Sequence, residues 1–355
     1  MFLALRELKQ SKLRYGLIGC IMMLLSFLVL VISGLANGLS YDNASSIQNM
    51  DAKQFVLGKD SENKLLRSQL TEEEVQNVTK QIDEGKAVPF YVKMLTYEMK
   101  NSEKKVDIAI FANKEDTFLQ PSIVKGRAVE SVSNEAVADE SIQQKGVHLG
   151  DVITDPISQK EFKIVGFTEG QMFSHTPVMY VNEAVWSEIA QPNQQNYSAV
   201  AVQTEEQIKN AHVVTKKEVL QSIPGYKEEQ GTLTMIIVFL LVIAALLIGV
   251  FFYVITLQKT GQIGVLKAIG TTNAYLVYSL VMQACYLSVA AIVISIGLVQ
   301  GLQQVLPESM PFLLTTTMIW QYASVFIVIS IVGTVISLYQ VLKVDALEAI
   351  GGGAL

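Results

Sequence analysis

Four long apolar blocks interrupt an otherwise alternating and charged sequence. Tyr15–Ala36, Leu233–Leu257, Ala274–Val305 and Pro311–Leu342 contain no Asp, Glu, Lys or Arg. A helix needs about 20 apolar residues to cross roughly 30 Å of hydrocarbon, so each block is long enough to span a bilayer. Tilt or emergence from the bilayer absorbs the surplus of the last two. The basic start followed by an apolar run imitates a secretory leader, but the run exceeds the usual apolar core of one. Three further spans follow, which favours an uncleaved first helix.

Between the first two blocks the pattern changes to that of a mixed domain. Asp51–Leu57 reads as a strand, and Val88–Lys100 and Lys105–Ala112 alternate like paired strands. Thr71 followed by Glu74 is a capping box that opens a helix to Glu84. Asn134–Lys145 reads as a second helix, leading into Gly146–Asp151 and strands over Phe162–Phe167 and Val178–Val181. Lys216–Gln221 reads as a short helix ending at Pro224–Gly225. The fold class expected is an α-helical membrane protein of four spans, with an extracytoplasmic α+β domain between spans one and two. Segment by segment this gives a cytoplasmic amphipathic stretch at 1–14, spans at 15–36, 232–257, 274–305 and 312–342, and the domain at 37–231. A cytoplasmic segment at 258–273, an outer loop at 306–311 and a tail at 343–355 complete the chain.

Charge orients this layout. Arg6, Lys9, Lys12 and Arg14 precede span one, Lys259 and Lys267 lie between spans two and three, and Lys343 follows span four. The loop between spans three and four has Glu308 and no base. By the positive-inside rule both termini face the cytoplasm and 37–231 faces out of the cell membrane. Residues 37–231 carry 29 acids and 20 bases, a net of −9, which argues against nucleic acid as a partner. The two cysteines, Cys20 and Cys285, both fall in spans, so no disulfide framework supports the domain. The spans also lack the ionisable residues that proton-coupled carriers keep for a relay. No G-x-x-x-x-G-K-[ST] sequence is present, so the chain holds no P-loop and no hydrolytic chemistry of its own.

Layout and motifs together resemble the MacB/FtsX-type ABC transporter permeases. One span, an outer domain of about 200 residues and three close spans is that family's arrangement. Gln258–Gly270 (QKTGQIGVLKAIG) is similar to its cytoplasmic coupling segment, and Lys343–Gly351 (KVDALEAIG) to its closing motif. Ser33–Leu39, Phe251–Lys259 and Met310–Thr316 are most similar to the HrtB-type haem exporter permeases of Gram-positive bacteria. The resemblance implies a homodimer in membrane lipid, served by a separate cytoplasmic ABC ATPase, with haem as transported substrate rather than cofactor. Other cargoes within the family are antimicrobial peptides, lipoproteins and lipids. An FtsX-like regulator of a cell-wall hydrolase is the reading from a different class.

Several residues then become candidates. Gln262, Ile263, Leu266 and Lys267 would take the ATPase's push, with Ile263, Val265, Leu266 and Ile269 as an apolar stripe; a simple interfacial turn is the alternative. Haem iron accepts His, Met, Cys or Tyr. His175 and Met172 in Met172–His175 (MFSH), and Tyr226 outside span two, are the ligand candidates, against ordinary packing roles. The family often has Tyr where Phe173 stands. Tyr226 and His175 are expected at opposite ends of the domain's membrane-proximal face, with Lys227 available to a propionate. Met22, Met23, Phe27, Met235 and Phe239 are candidates for an apolar lateral entrance, with plain core or lipid contact as the alternative. Gly34 and Gly38 have the small-xxx-small spacing of a helix–helix interface, as do Gly297 and Gly301. No catalytic or metal site is expected.

Overall fold

The computed structural model describes residues 6–7, 10–99, 105–130, 134–155, 158–189, 196–307 and 310–342. The KVDALEAIG tail, Lys100, Glu308 and most of the first nine residues lie outside them. The chain forms two compact units, one of Met1–Gly38 with Gly231–Leu355 and one of Leu39–Gln230.

The first unit is helical. Among the described residues four helices are long and apolar enough to cross a membrane: α1 (Lys12–Asn49), α5 (Tyr226–Gln258), α7 (Asn273–Gln303) and α8, whose span covers Thr316–Ser337 within Thr316–Leu342. Each covers all or most of one charge-free block of the sequence. The fourth helix starts at Thr316, so Pro311–Thr315 is not helical. Tyr15, Ile18, Met22, Ala244, Ile248, Phe252, Ala284 and Phe326 form the buried centre of this bundle. Several buried hydroxyls donate to carbonyls one turn back, as in Ser33 to Val29 (2.6 Å), Ser288 to Ala284 (2.8 Å) and Ser330 to Phe326 (2.8 Å). Ser295 also donates to the Met23 carbonyl at 2.8 Å, tying α7 to α1. In hydrocarbon no water replaces these partners, so a carbonyl one turn back is the usual acceptor, although the buried hydroxyls of Ser26 and Ser279 meet none among the described residues.

The second unit, the inserted domain, is built on one mixed sheet. Its order is β11–β1–β10–β2–β3–β9–β5–β7–β4. In chain order the strands are β1 (Gln54–Leu57), β2 (Ala87–Met99), β3 (Lys105–Asn113), β4 (Ile123–Gly126), β5 (Glu135–Asp139), β6 (Val152–Thr154), β7 (Glu161–Thr168), β8 (Met172–Phe173), β9 (Thr176–Asn182), β10 (Ala199–Val202) and β11 (His212–Thr215). β2 and β3 pair antiparallel from Phe90–Asn113 to Glu98–Lys105, as their alternation predicts. β6 pairs with both β2 and β7, which closes β2–β3–β9–β5–β7–β6 into a ring. The two edge strands, β4 and β11, are four residues each, and short edges limit unwanted pairing.

Both sheet faces are covered, and the period of two sorts the core. Val56, Tyr91, Ile108, Ile110, Val200 and Val202 bury toward α2 (Glu72–Thr79) with its Val75 and Val78. Phe55, Leu57, Phe90, Phe111, Ala199 and Ala201 bury on the other side with Ala44 and Ile47 of α1 and Val219 of α4 (Lys216–Ser222), which follows α3 (Glu183–Ile189) in the chain. The expected capping box forms: Glu74 N–H donates to Thr71 Oγ1 at 3.4 Å and Thr71 N–H to Glu74 at 2.8 Å; a second one, not anticipated, joins Thr215 with Glu218. Two expectations fail: the helix opened by Thr71 ends at Thr79 instead of Glu84, and the second expected helix does not form. Asn134–Lys145 is not an α-helix; β5 occupies Glu135–Asp139 and a 3-10 turn follows over Glu140–Lys145. Ala136, Val137 and Ala138 are buried between β7 and β9, and sheet pairing there overrides the helix propensity of the alanines.

Candidate functional site

Within the inserted domain, the helical continuation of α1 past Leu39 organises the ligand candidates. Ser45 Oγ accepts from Met172 N–H at 2.9 Å, and the Asn43 carbonyl accepts from Ser174 N–H at 2.7 Å. The β8–β9 hairpin is thus laid along the helix. Its two-residue turn, Ser174–His175, holds both residues at positive φ (50° and 59°), the geometry of a type I′ turn. Neither is glycine, so the backbone is strained there, and contacts on both sides hold it. Phe173 is buried edge-on to Phe111, with ring centroids 5.6 Å apart.

His175 faces carboxylates with both ring nitrogens. Nδ1 lies 2.7 Å from Asp42 of α1 and Nε2 lies 3.3 Å from Glu229 in the first turn of α5. Burial by itself pulls the imidazole pKa down, but the hydrogen bond and charge of Asp42, then those of Glu229, outweigh it and raise it. Asn43 adds a 3.3 Å hydrogen bond to the other Glu229 oxygen. The two carboxylates sit on opposite edges of the ring and cannot share one ion with it. Among the described residues no group of three or more His, Cys, Asp and Glu is arranged to hold a metal.

Tyr226 lies one turn before Glu229 on α5. Its phenolic oxygen accepts long hydrogen bonds from Ser40 Oγ (3.2 Å) and Gln48 Nε2 (3.3 Å), both on α1. The ring is half-buried against the Phe55–Phe90–Phe111 core. Met172 Sδ accepts from Ser141 Oγ at 3.3 Å. Tyr226 and His175 are therefore not at opposite ends of a face: both bond to residues 40–48 of α1 and both are linked to the first turn of α5. Sequence spacing missed this because the helical run of residues 37–49 was not foreseen. Of the entrance candidates, Met22 is buried in the bundle centre and Met23 and Phe27 are half-buried, whereas Met235 and Phe239 are more than half exposed.

In the helical unit, the segment after α5 forms the short helix α6 (Thr260–Ala268). It ends in a Schellman turn. Gly270 sits at φ +97°, its N–H donating to Lys267 O at 2.9 Å and Thr271 N–H to Leu266 O at 3.0 Å. The apolar stripe is divided between two sides. Ile263 is buried and, with Leu266, packs on Leu276 of α7. Val265 and Ile269 are exposed at 52% and 78%, with Gln262 also exposed and Lys267 half-buried. Ile263 and Leu266 thus serve an internal contact, and the face open to a partner is Gln262, Val265 and Ile269.

Gly34 and Gly38 also receive a partner from their own chain. A Cβ at Gly38 would overlap the Pro311 carbonyl, and one at Gly34 would overlap the Phe312 ring. Leu313 N–H donates to Gly34 O at 3.0 Å and Asn37 Nδ2 donates to Leu313 O at 3.0 Å. The notch expected to face a second helix is filled by the extended 311–313 segment.

Residues 21–216 match the MacB-like periplasmic core domain and residues 234–346 the FtsX-like permease C-terminal domain. The chain belongs to the MacB/FtsX family of ABC transporter permeases. It is 33% identical to a putative hemin transport system permease protein HrtB of Staphylococcus epidermidis, over 99% of this chain and 100% of that one. The corresponding protein of Staphylococcus haemolyticus is 31% identical over 99% of each. An uncharacterized ABC transporter permease of Mycobacterium tuberculosis is 22% identical over 99% of each. The chain is accordingly a multi-pass membrane protein and the transport component of an ABC system, a family whose permeases work with an ATPase partner.

Proposed function

We propose that this permease exports haem as a homodimer, energised by a separate cytoplasmic ABC ATPase. The observation that carries the cargo is the end-to-end similarity to the staphylococcal HrtB proteins at about one residue in three. Both termini are placed in the cytoplasm in this reading, which the basic flanks support. ATP binding by the partner drives the cytoplasmic ends of the spans together through α6, and the inserted domains follow, expelling haem captured from the membrane. Tyr226 is the better placed iron ligand, because it gives up only two long hydrogen bonds to reach ferric iron. His175 would have to leave two carboxylates, so its part is to hold the hairpin, and Met172 flanks the same place.

A deletion strain grown across haem, antimicrobial peptides and bile salts tests the cargo, with sensitivity expected to haem alone. Tyr226→Phe keeps the ring and removes the oxygen. It should reduce survival in haem and shift the absorbance spectrum of ferric haem bound to the purified protein. Wild-type survival and spectrum would remove Tyr226 as a ligand, and sensitivity only to peptides would replace the cargo. Orientation is tested by single cysteines at the exposed Lys59 and Lys209, in a background lacking Cys20 and Cys285. Impermeant thiol reagents should label both on intact cells and leave a cysteine at Lys267 untouched. The reverse pattern would invert the topology.

A further inference from the structure

The helical unit contains a closed ring of polar side chains that the transport reading does not use. Lys259 Nζ donates to Glu7 Oε2 at 2.8 Å and to the Tyr15 hydroxyl oxygen at 3.0 Å. The Tyr15 hydroxyl donates to Gln283 Oε1 at 2.6 Å, and Gln283 Nε2 donates back to Glu7 Oε2 at 2.6 Å. Each of the four side chains bonds to at least two of the others. Gln283 is fully buried, and the Lys259 and Glu7 side chains are only 15% and 22% exposed. The ammonium also stands 5.4 Å from the Tyr15 ring centroid, within cation–π range. Arg14 donates to Gln258 Oε1 at 2.6 Å beside it.

The ring's place in the chain gives it meaning. Lys259 is the single residue between α5 and α6, and its backbone (φ −100°, ψ 4°) is not helical. Left alone, such a joint bends, and a push on α6 is absorbed by rotation about Lys259. Its side chain instead bonds to Tyr15 of α1, to Glu7 of the N-terminal segment and, through both, to Gln283 of α7. A largely buried ion pair is a poor source of stability, because desolvation offsets its attraction. A buried network in which each of the four side chains bonds to its neighbours does favour one geometry over others.

We propose that the Glu7–Tyr15–Lys259–Gln283 ring is a transmission lock, whose residues position the α5–α6 joint so that displacement of α6 is passed to α1 and α7 instead of being lost at Lys259. This rests on the reading of the chain as an ATPase-driven exporter. These are positioning residues that touch neither nucleotide nor cargo.

The test uses the full-length permease reconstituted with its ATPase in proteoliposomes. Three quantities are read: ATP hydrolysis, haemin exported per ATP, and the ATP-dependent change in maleimide labelling of Tyr278→Cys. Tyr278 is an exposed position on α7, and Cys20 and Cys285 are replaced by serine. Lys259→Met should leave hydrolysis within about twofold of wild type, lower haemin exported per ATP about tenfold, and erase the ATP-dependent labelling change. The exchange Glu7→Lys with Lys259→Glu should restore both lost readouts. The ring accommodates it by running in the opposite sense, with the Gln283 amide flipped and the Tyr15 hydroxyl donating to the new carboxylate. An unchanged ratio and labelling change in Lys259→Met overturns the lock. So does loss of ATPase binding in that variant, which would make the ring part of the docking surface. Failure of the exchange to restore coupling, in a complex that still assembles, overturns the pairwise mechanism. If wild type exports no haemin, the exporter reading falls, and the labelling change still decides the lock.

Discussion

Glutamate at both Val265 and Ile269 is expected to abolish partner-stimulated ATP hydrolysis and export while leaving the permease inserted and folded. Both side chains are exposed on α6, and neither belongs to the cluster that Ile263 and Leu266 make with Leu276. An apolar contact of this kind is central to interfaces that dock helices, and two carboxylates desolvated without partners would cost several kcal/mol. A loss on the order of 100-fold in hydrolysis corresponds to about 3 kcal/mol of binding. Ile263→Asp is the contrasting variant. It buries a charge inside the permease, so it should lower the yield of folded protein and broaden its thermal transition. Co-purification with a tagged ATPase, together with hydrolysis rate, separates the two. Wild-type binding and hydrolysis by the double glutamate variant would remove α6 as the docking element.

That division of the stripe shows where sequence reading stops. Periodicity places Ile263, Val265, Leu266 and Ile269 on a short helix, but it cannot say which side packs on α7 and which meets a partner. The charge-free blocks were the most legible feature, because lipid imposes length and the absence of charge together. The capping box at Thr71 was legible for a related reason: its chemistry is local. Extension of α1 to Asn49 was hidden by Gly38, Asn43 and a run of serines, all modest helix formers. It exists because Ala44 and Ile47 are fully buried in the core of the inserted domain. That extension gathers Tyr226, His175 and Met172, so the grouping of the ligand candidates was invisible without it. The β5 segment failed in the opposite sense, a helix-like composition recruited by its neighbours in the sheet. Glu7 and Gln283 are too far apart in sequence for any local pattern to join them.

Alanine at Gly38 is expected to be among the most damaging single-methyl additions in the helical unit, and the four spaced glycines make the test internally controlled. At Gly38 the new Cβ would overlap the backbone carbonyl of Pro311, which cannot rotate away. The 311–313 segment is also held by Leu313 N–H to Gly34 O and by Asn37 to Leu313 O, so relief requires breaking those bonds. Overpacking of this kind costs about 1–3 kcal/mol, and a rigid backbone neighbour places Gly38→Ala toward the upper end. At Gly34 the obstacle is the Phe312 ring, a side chain that can be shortened. Gly34→Ala should therefore be destabilising alone and be rescued by Phe312→Ala, whereas Gly38→Ala should not be rescued by it. Gly297 and Gly301 have nothing within 4 Å of an added Cβ. Alanine there should be neutral or raise helix stability by about 0.5–1 kcal/mol. The measurement is the thermal unfolding midpoint of the purified full-length protein in detergent, with yield of inserted protein beside it. Equal midpoints for Gly38→Ala and Gly301→Ala would mean that the notch does not seat the 311–313 segment in the working protein. A large loss at Gly297 or Gly301 would place a second chain against that face of α7.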